Sequence, residues 1–250
     1  MKKVILLIVT SILISCTCGT PANKKKRVLV VLSNTVNMGD SEKHEAGNNL
    51  WEVAPPYHIF VSHGYEVDFV SPTGKDAPFT MEPIGISSYT MKYENFTEKA
   101  NNSFKPNEID PNEYEAVFVG GGYGSLFDVV NNDEILSILA SVYDNNGVIG
   151  GCGHGPGAFA NVKLRSGAYM IKGKKVTGFP NSTEITKSWA MQGTLLPETV
   201  EDLLRKNGAL FQSKKDLKDK YDVVIDKRIV TTMFLPSAAI VAKEMINLMK

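Results

Sequence analysis

The stretch GVIGGCGHGPGAFA, residues 147–160, puts a thiol and an imidazole on either side of one glycine. A short apolar run of small residues leading into Gly-Pro reads as a buried strand turning sharply into a helix. Such a turn lifts one side chain clear of the sheet edge, and the helix behind it offers free N–H groups and partial positive charge. A thiol at that apex has a lowered pKa and becomes a good nucleophile. Read straight, however, the apex falls on Gly153, with Cys152 one position early and His154 one position late. Side chains alternate along a strand, so Cys152 is expected to point away from where Gly153 points, into the packing of the sheet.

A second candidate turn is YEAVFVGGGYGSLFDV, in which Gly120, Gly121 and Gly122 allow a tight bend before Tyr123. Their backbone N–H groups can receive an anion or a carbonyl oxygen. The other reagents are dispersed. His44, His58, His63 and His154 show no zinc spacing, and Cys16, Cys18 and Cys152 form no disulfide framework. Lys and Arg total 27 and Asp and Glu total 27, so nothing attracts nucleic acid at long range, and the run Lys24 to Arg27 reads as a solvated linker.

The elements that must hold these turns alternate between strand and helix. RVLVVL, YEVDFV, AVFVG and GVIGG are short apolar runs of the kind buried on both faces of a parallel sheet. NNLWEVAPPYHIFVSHG has helical spacing at Leu50, Val53, Tyr57, Phe60 and Val61, with Gly64 as its stop and a kink or split expected at Pro55-Pro56. Residues 76–112 lack a clean period and read as a surface excursion with one short helix near Phe96 to Ala100. DEILSILASVYDNNG, PETVEDLLRKNG and PSAAIVAKEMINLMK read as helices, and YDVVIDKRIVTT as two strands joined at Asp226-Lys227. The predicted fold is an α/β three-layer sandwich with a mostly parallel central sheet, flavodoxin-like.

The N-terminus reads separately. Lys2 and Lys3 precede an apolar run from Val4 to Ile14, which is a secretory signal pattern too short to be a good membrane span. It ends in Leu-Ile-Ser-Cys, which resembles a bacterial lipobox cut before Cys16. The expected organisation is a signal peptide over 1–15, a linker over 16–26 and a single domain over 27–250, exported and anchored to a bacterial membrane by lipid on Cys16.

From about Arg27 onward the chain resembles the ThiJ/PfpI superfamily, which shares the class I glutamine amidotransferase-like fold. Within it the chain is similar to the branch of glyoxalase III and stress-induced holding chaperones. The resemblance rests on the order and spacing of Gly39-Asp40, WEVAPPY, GYEVDFVSPTGK, GGYGSLFD, GVIGGCGHGPGAF and IKGKKVTGF. It implies a cofactor-free site in which an elbow cysteine attacks methylglyoxal, a first-helix glutamate moves protons and a histidine assists, giving D-lactate. It also implies a homodimer. The glutamate falls on Glu52 and the histidine on His154, but the cysteine falls on Gly153. Two further positions depart. Tyr123 stands where the glycine turn carries histidine, and the late loop TTMFLPS keeps only Thr231 and Ser237 of its pattern.

Three readings follow. In the first, the elbow is degenerate, Glu52 points into the pocket opposite Gly153, and Cys152 lies beyond the ~3 Å reach of Glu52. The protein is then a lipid-anchored, non-catalytic binder of a small carbonyl ligand or a holder of unfolded protein. In the second, a local register change brings Cys152 round as the nucleophile of a glyoxalase III or deglycase-type enzyme. In the third, Glu52 and His154 work through water. Gly121, Gly122 and Tyr123 line the pocket in each.

Overall fold

A computed structural model describes residues 26–40, 44–184, 195–217 and 222–250. The expected signal segment, Cys16 and Cys18 lie outside the described residues. Six strands form the central sheet: β1 (Arg27–Val31), β2 (Glu66–Val70), β3 (Ala116–Val119), β4 (Val148–Cys152), β5 (Val223–Asp226) and β6 (Ile229–Thr232). Their order across the sheet is β2-β1-β3-β4-β6-β5, parallel except for the β5–β6 hairpin at one edge. The four apolar runs are therefore adjacent and parallel. The hairpin turns at Lys227, whose φ of 54° is the left-handed conformation a tight turn requires.

Helices cover both faces. The labelled ones are α1 (Leu50–Ser62), α2 (Ile86–Tyr93), α3 (Phe96–Asn101), α4 (Asp133–Asp144), α5 (Val200–Lys206) and α6 (Ala238–Leu248). Strand alternation sends Val28, Val30, Phe118, Val148, Cys152 and Val230 to the face covered by α1 and α6. It sends Leu29, Val31, Val117, Val119 and Ile149 to the face covered by α4, α5 and the 3-10 segment Gly155–Asn161. Among the described residues no helix is long and apolar enough to cross a membrane.

Two expectations are corrected. α1 is not split at Pro55 and Pro56 but continues through both as one helix. The prolines remove two ladder hydrogen bonds, but Val53, Ala54, Pro56, Tyr57 and Phe60 of this helix are buried, and that packing outweighs the loss. The excursion over 76–112 holds two helices, the second, α3, where one was expected. The unexpected α2 turns Ser87 and Thr90 inward and leaves Ile86, Tyr89 and Tyr93 exposed. Its apolar residues therefore carry no inward helical period.

Candidate functional site

Three strand ends meet at the site. After β1, Asn48 accepts from the Ser33 amide (2.8 Å) and donates back to the Ser33 carbonyl (2.9 Å). This clamps the entry to α1. Asn49 then caps the helix, its side chain accepting from the Trp51 amide, while its own amide donates 2.9 Å to the Gly121 carbonyl. The third residue of α1 is Glu52, which is thus hung over the end of the sheet between the β3 and β4 turns.

At the end of β4 the Gly153 amide still donates to the Thr232 carbonyl (3.1 Å), and its carbonyl accepts from the Phe179 amide (2.8 Å). Its φ is +59°, a conformation that side chains disfavour and that a sharp strand-to-helix elbow demands. Gly153 is the apex of the turn. A Cβ placed on it would lie 2.6 Å from Glu52 Oε2 and 2.7 Å from Oε1. The same carboxyl crosses the bare Cα of Gly121, where a Cβ would meet Oε2 at 1.5 Å. The Glu52 carboxyl is therefore nested between two glycines, in space that a side chain at either would need.

Cys152 packs on the sheet face as alternation dictates, fully buried with Val230, Ala238 and Val241. Its expected separation from Glu52 is not observed: the thiol interacts with the Glu52 carboxyl. The reason is that α1, which carries Glu52, covers that same face. Burial, followed by the adjacent carboxyl, pushes the thiol well above its ordinary value. Cys152 is absent from the lining of the cavity above it. Glu52 is 5% exposed, and burial pushes its carboxyl up to about 8, with the thiol's opposing effect smaller. Its Oε2 has no hydrogen-bond partner.

His154 follows the apex and is buried. Its Nε2 lies 2.7 Å from Oε2 of Glu184, a carboxylate with no exposed surface. That carboxylate accepts from Nε2, so in the neutral tautomer this pairing selects, Nδ1 is the acceptor. Glu184 Oε1 accepts 2.8 Å from the Tyr123 hydroxyl. Burial, then the Glu184 charge, pushes the Tyr123 phenol up and keeps it a donor. The rings also pack: the His154 centroid is 4.3 Å from that of Tyr123 and 4.6 Å from that of Phe179.

Glu184 was not singled out in the sequence. It sits on the short helix Asn181–Glu184, past the strand-like KKVTGF, in no recognisable motif. The only available signal was chemical: a histidine beside an elbow needs a partner to fix its tautomer. Of the expected pocket residues, Glu52, Gly122, Tyr123 and His154 line one cavity of about 310 Å³, together with Phe179 and Phe234. Gly121 instead accommodates the Glu52 carboxyl. Thr231 is buried, its hydroxyl accepting 2.9 Å from the Thr177 amide, so it braces the elbow from behind. Among the described residues no group of three or more His, Cys, Asp or Glu gathers as a metal site.

A doubly covered, mostly parallel sheet with a strand-to-helix elbow, a buried carboxyl facing it and an imidazole–carboxylate pair beside it defines an α/β protein with its candidate site at the strand ends, where open sheets of this kind bind ligands. The chain belongs to the DJ-1/PfpI family, whose profile matches residues 44–247. It is 30% identical over 235 residues to Glyoxalase 3 of Candida albicans, covering 88% of this chain and 97% of that protein. It is 28% identical over 237 residues to the glutathione-independent glyoxalase HSP31 of Saccharomyces cerevisiae, covering 90% and 98%. The crystal structure of the Candida albicans glyoxalase III superposes with a TM-score of 0.78 at 29% identity, covering 90% of this chain and 98% of that one. Rapid Encystment Protein 24 KDa of Francisella tularensis superposes with a TM-score of 0.80 at 29% identity, covering 90% and 99%.

Proposed function

We propose that this chain is a lipid-anchored protein of the glyoxalase III-like branch whose elbow is degenerate, and that it binds a small carbonyl compound without forming a thiol adduct. The observation that carries this reading is the occupied apex: Gly153 has no side chain, and the Glu52 carboxyl fills the space where one would begin. Cys152 does not substitute. It lies on the packed face, outside the cavity, with its thiol held in the unreactive protonated form. The remaining groups suit reversible recognition. Glu52, protonated near neutral pH, can donate to a carbonyl oxygen, and His154 Nδ1 can accept from a hydroxyl or a hydrate.

The test is D-lactate formation from methylglyoxal by the full-length protein in detergent, beside its Cys152→Ala variant. Background rates in both, with saturable quenching of tryptophan fluorescence by methylglyoxal, are expected. Robust turnover that vanishes in Cys152→Ala overturns the reading. A second reading, water-mediated acid–base catalysis, draws on the intact Tyr123–Glu184–His154 chain of hydrogen bonds. Turnover that survives Cys152→Ala and disappears in both Glu52→Gln and His154→Ala selects it. The anchor has its own test: Cys16→Ala is expected to leave the protein unprocessed or soluble, and its retention in the membrane fraction counts against lipidation.

A further inference from the structure

The groups that can meet a carbonyl occupy only part of the cavity wall, and much of the rest is apolar. Phe179 and Phe234 both line the space, with centroids 6.0 Å apart and planes at 83°. A flat ring laid against either one meets the other edge-on. Their corner therefore offers together the stacked and edge-to-face contacts that aromatic pairs prefer. Phe234 and the neighbouring Leu235, also in the lining, belong to the late loop TTMFLPS, where the chain departs from the family pattern. Met81 adds a further apolar wall. Its φ of 75° is a left-handed conformation that a side chain disfavours. Contacts on both sides hold it there: Phe79–Thr80 pair with Asn48–Asn49, and the Glu82 carbonyl accepts 2.9 Å from Trp51 Nε1. Backbone strain of this kind persists only where its surroundings enforce it, and it gathers at ligand sites. Here it presents a thioether to the cavity with half of the residue exposed, and thioethers pack well against aromatic rings.

We infer that the ligand of this cavity is an aryl-substituted carbonyl compound, its ring held in the corner of Phe179 and Phe234 and against Met81. The inference rests on the carbonyl-binding reading of the site and deepens it by naming what the carbonyl is attached to. Phe179 also stacks on His154, with centroids 4.6 Å apart, so a ring in that corner sets its carbonyl beside the imidazole. The volume of about 310 Å³ is that of roughly ten water molecules in the liquid. A three-carbon dicarbonyl leaves most of it to water, whereas a ring attached to the carbonyl fills the apolar part.

The experiment is calorimetric titration of the full-length protein in non-ionic detergent, with the detergent alone as blank. The probes are hydroxyacetone, its aryl counterpart 2-hydroxy-1-phenylethanone, and 1-phenylethane-1,2-diol, which keeps the ring and lacks the carbonyl. The aryl ketone is expected to bind at least ~10-fold more tightly than hydroxyacetone, the order for burying most of a phenyl ring. The diol should bind at least ~3-fold more weakly than the aryl ketone, the order of one lost hydrogen bond. Phe234→Leu keeps the apolar bulk and removes the ring; it should cut the preference for the aryl ketone over hydroxyacetone at least ~3-fold, and Phe234→Ala should cut it further. A preference undiminished in both variants overturns the inference. Hydroxyacetone binding with no gain from the ring refutes the inference and spares the carbonyl reading of the site. A diol bound as tightly as the aryl ketone refutes the carbonyl reading and the inference with it, as does binding of none of the three.

Discussion

The Glu52 carboxyl stands where the side chain of Gly153 would begin, with both of its oxygens within 2.7 Å of the place a Cβ would take. A buried acid and a vacant apex are therefore one feature. The acid leans over the bare Cα of the glycine, and its burial there raises its proton affinity.

That proton affinity makes stability depend on pH. Glu52 titrates at about 8 in the fold and near 4.5 in its ordinary state. Between these values the folded chain keeps a proton that the unfolded chain has lost. The contribution is therefore fully present below about pH 4.5, declines as pH rises and is spent above about pH 8, a span on the order of 3–5 kcal/mol. Urea denaturation of the wild type and Glu52→Gln at pH 5 and pH 9 measures it. The variant should show a markedly smaller loss of stability, and matching losses in the two proteins would contradict the assignment.

Cys152 should be chemically silent. It is fully buried, and its thiol is held protonated by its surroundings. Iodoacetamide applied to the native protein, followed by mass analysis of the peptide containing Cys152, should find less than about one tenth of the labelling reached after unfolding. Rapid native labelling would place the thiol in the cavity.

Gly153→Cys places a side chain at the apex against two costs. The φ of +59° strains any residue with a Cβ, by about 1–3 kcal/mol, and the Glu52 carboxyl must swing aside. The variant should melt several degrees below wild type, its new thiol should alkylate faster than Cys152, and D-lactate should form above the wild-type background. The recovery should be partial, because Tyr123 and Phe234 also shape the pocket. A stable variant with an inert thiol at position 153 would show that the apex does not face the cavity.

The buried Glu184 holds two donors, His154 Nε2 and the Tyr123 hydroxyl. Glu184→Gln keeps the volume but loses the charge and mismatches one donor, at a cost of about 2 kcal/mol in urea denaturation. Tyr123→Phe loses one hydrogen bond, at about 1 kcal/mol. If the two cost the same, Glu184 is not the hub of the pair.

The sheet was legible because strands buried on both faces read as unbroken runs such as VLVV and AVFV, with glycines punctuating their ends. The β5–β6 hairpin announced itself at Asp226-Lys227. The position of Gly153 at the elbow followed from counting to His154. Less legible was anything requiring knowledge of which element covers which face. Alternation places Cys152 on one side of the sheet but does not say that α1 and Glu52 lie on that side too. Glu184 reaches His154 across 30 residues of chain, with no local pattern to mark it. Helix α2 shows Ile86, Tyr89 and Tyr93 to the outside and packs only Met91 inward, the reverse of the pattern that betrays a helix in a sequence.

The tandem prolines of α1 bear on whether the apex can take a side chain. Pro55 and Pro56 have no amide hydrogens to offer the carbonyls of Trp51 and Glu52, four residues earlier. The turn bearing Glu52 is thus spliced to the rest of the helix by fewer rungs than an ordinary turn, while the packed residues beyond it anchor the rod. A carboxyl on such a compliant perch advances over a glycine or retreats before a larger neighbour without the helix being rebuilt. A side chain at position 153 is in this sense mechanically admissible, and the slack that admits it lies in the neighbouring helix.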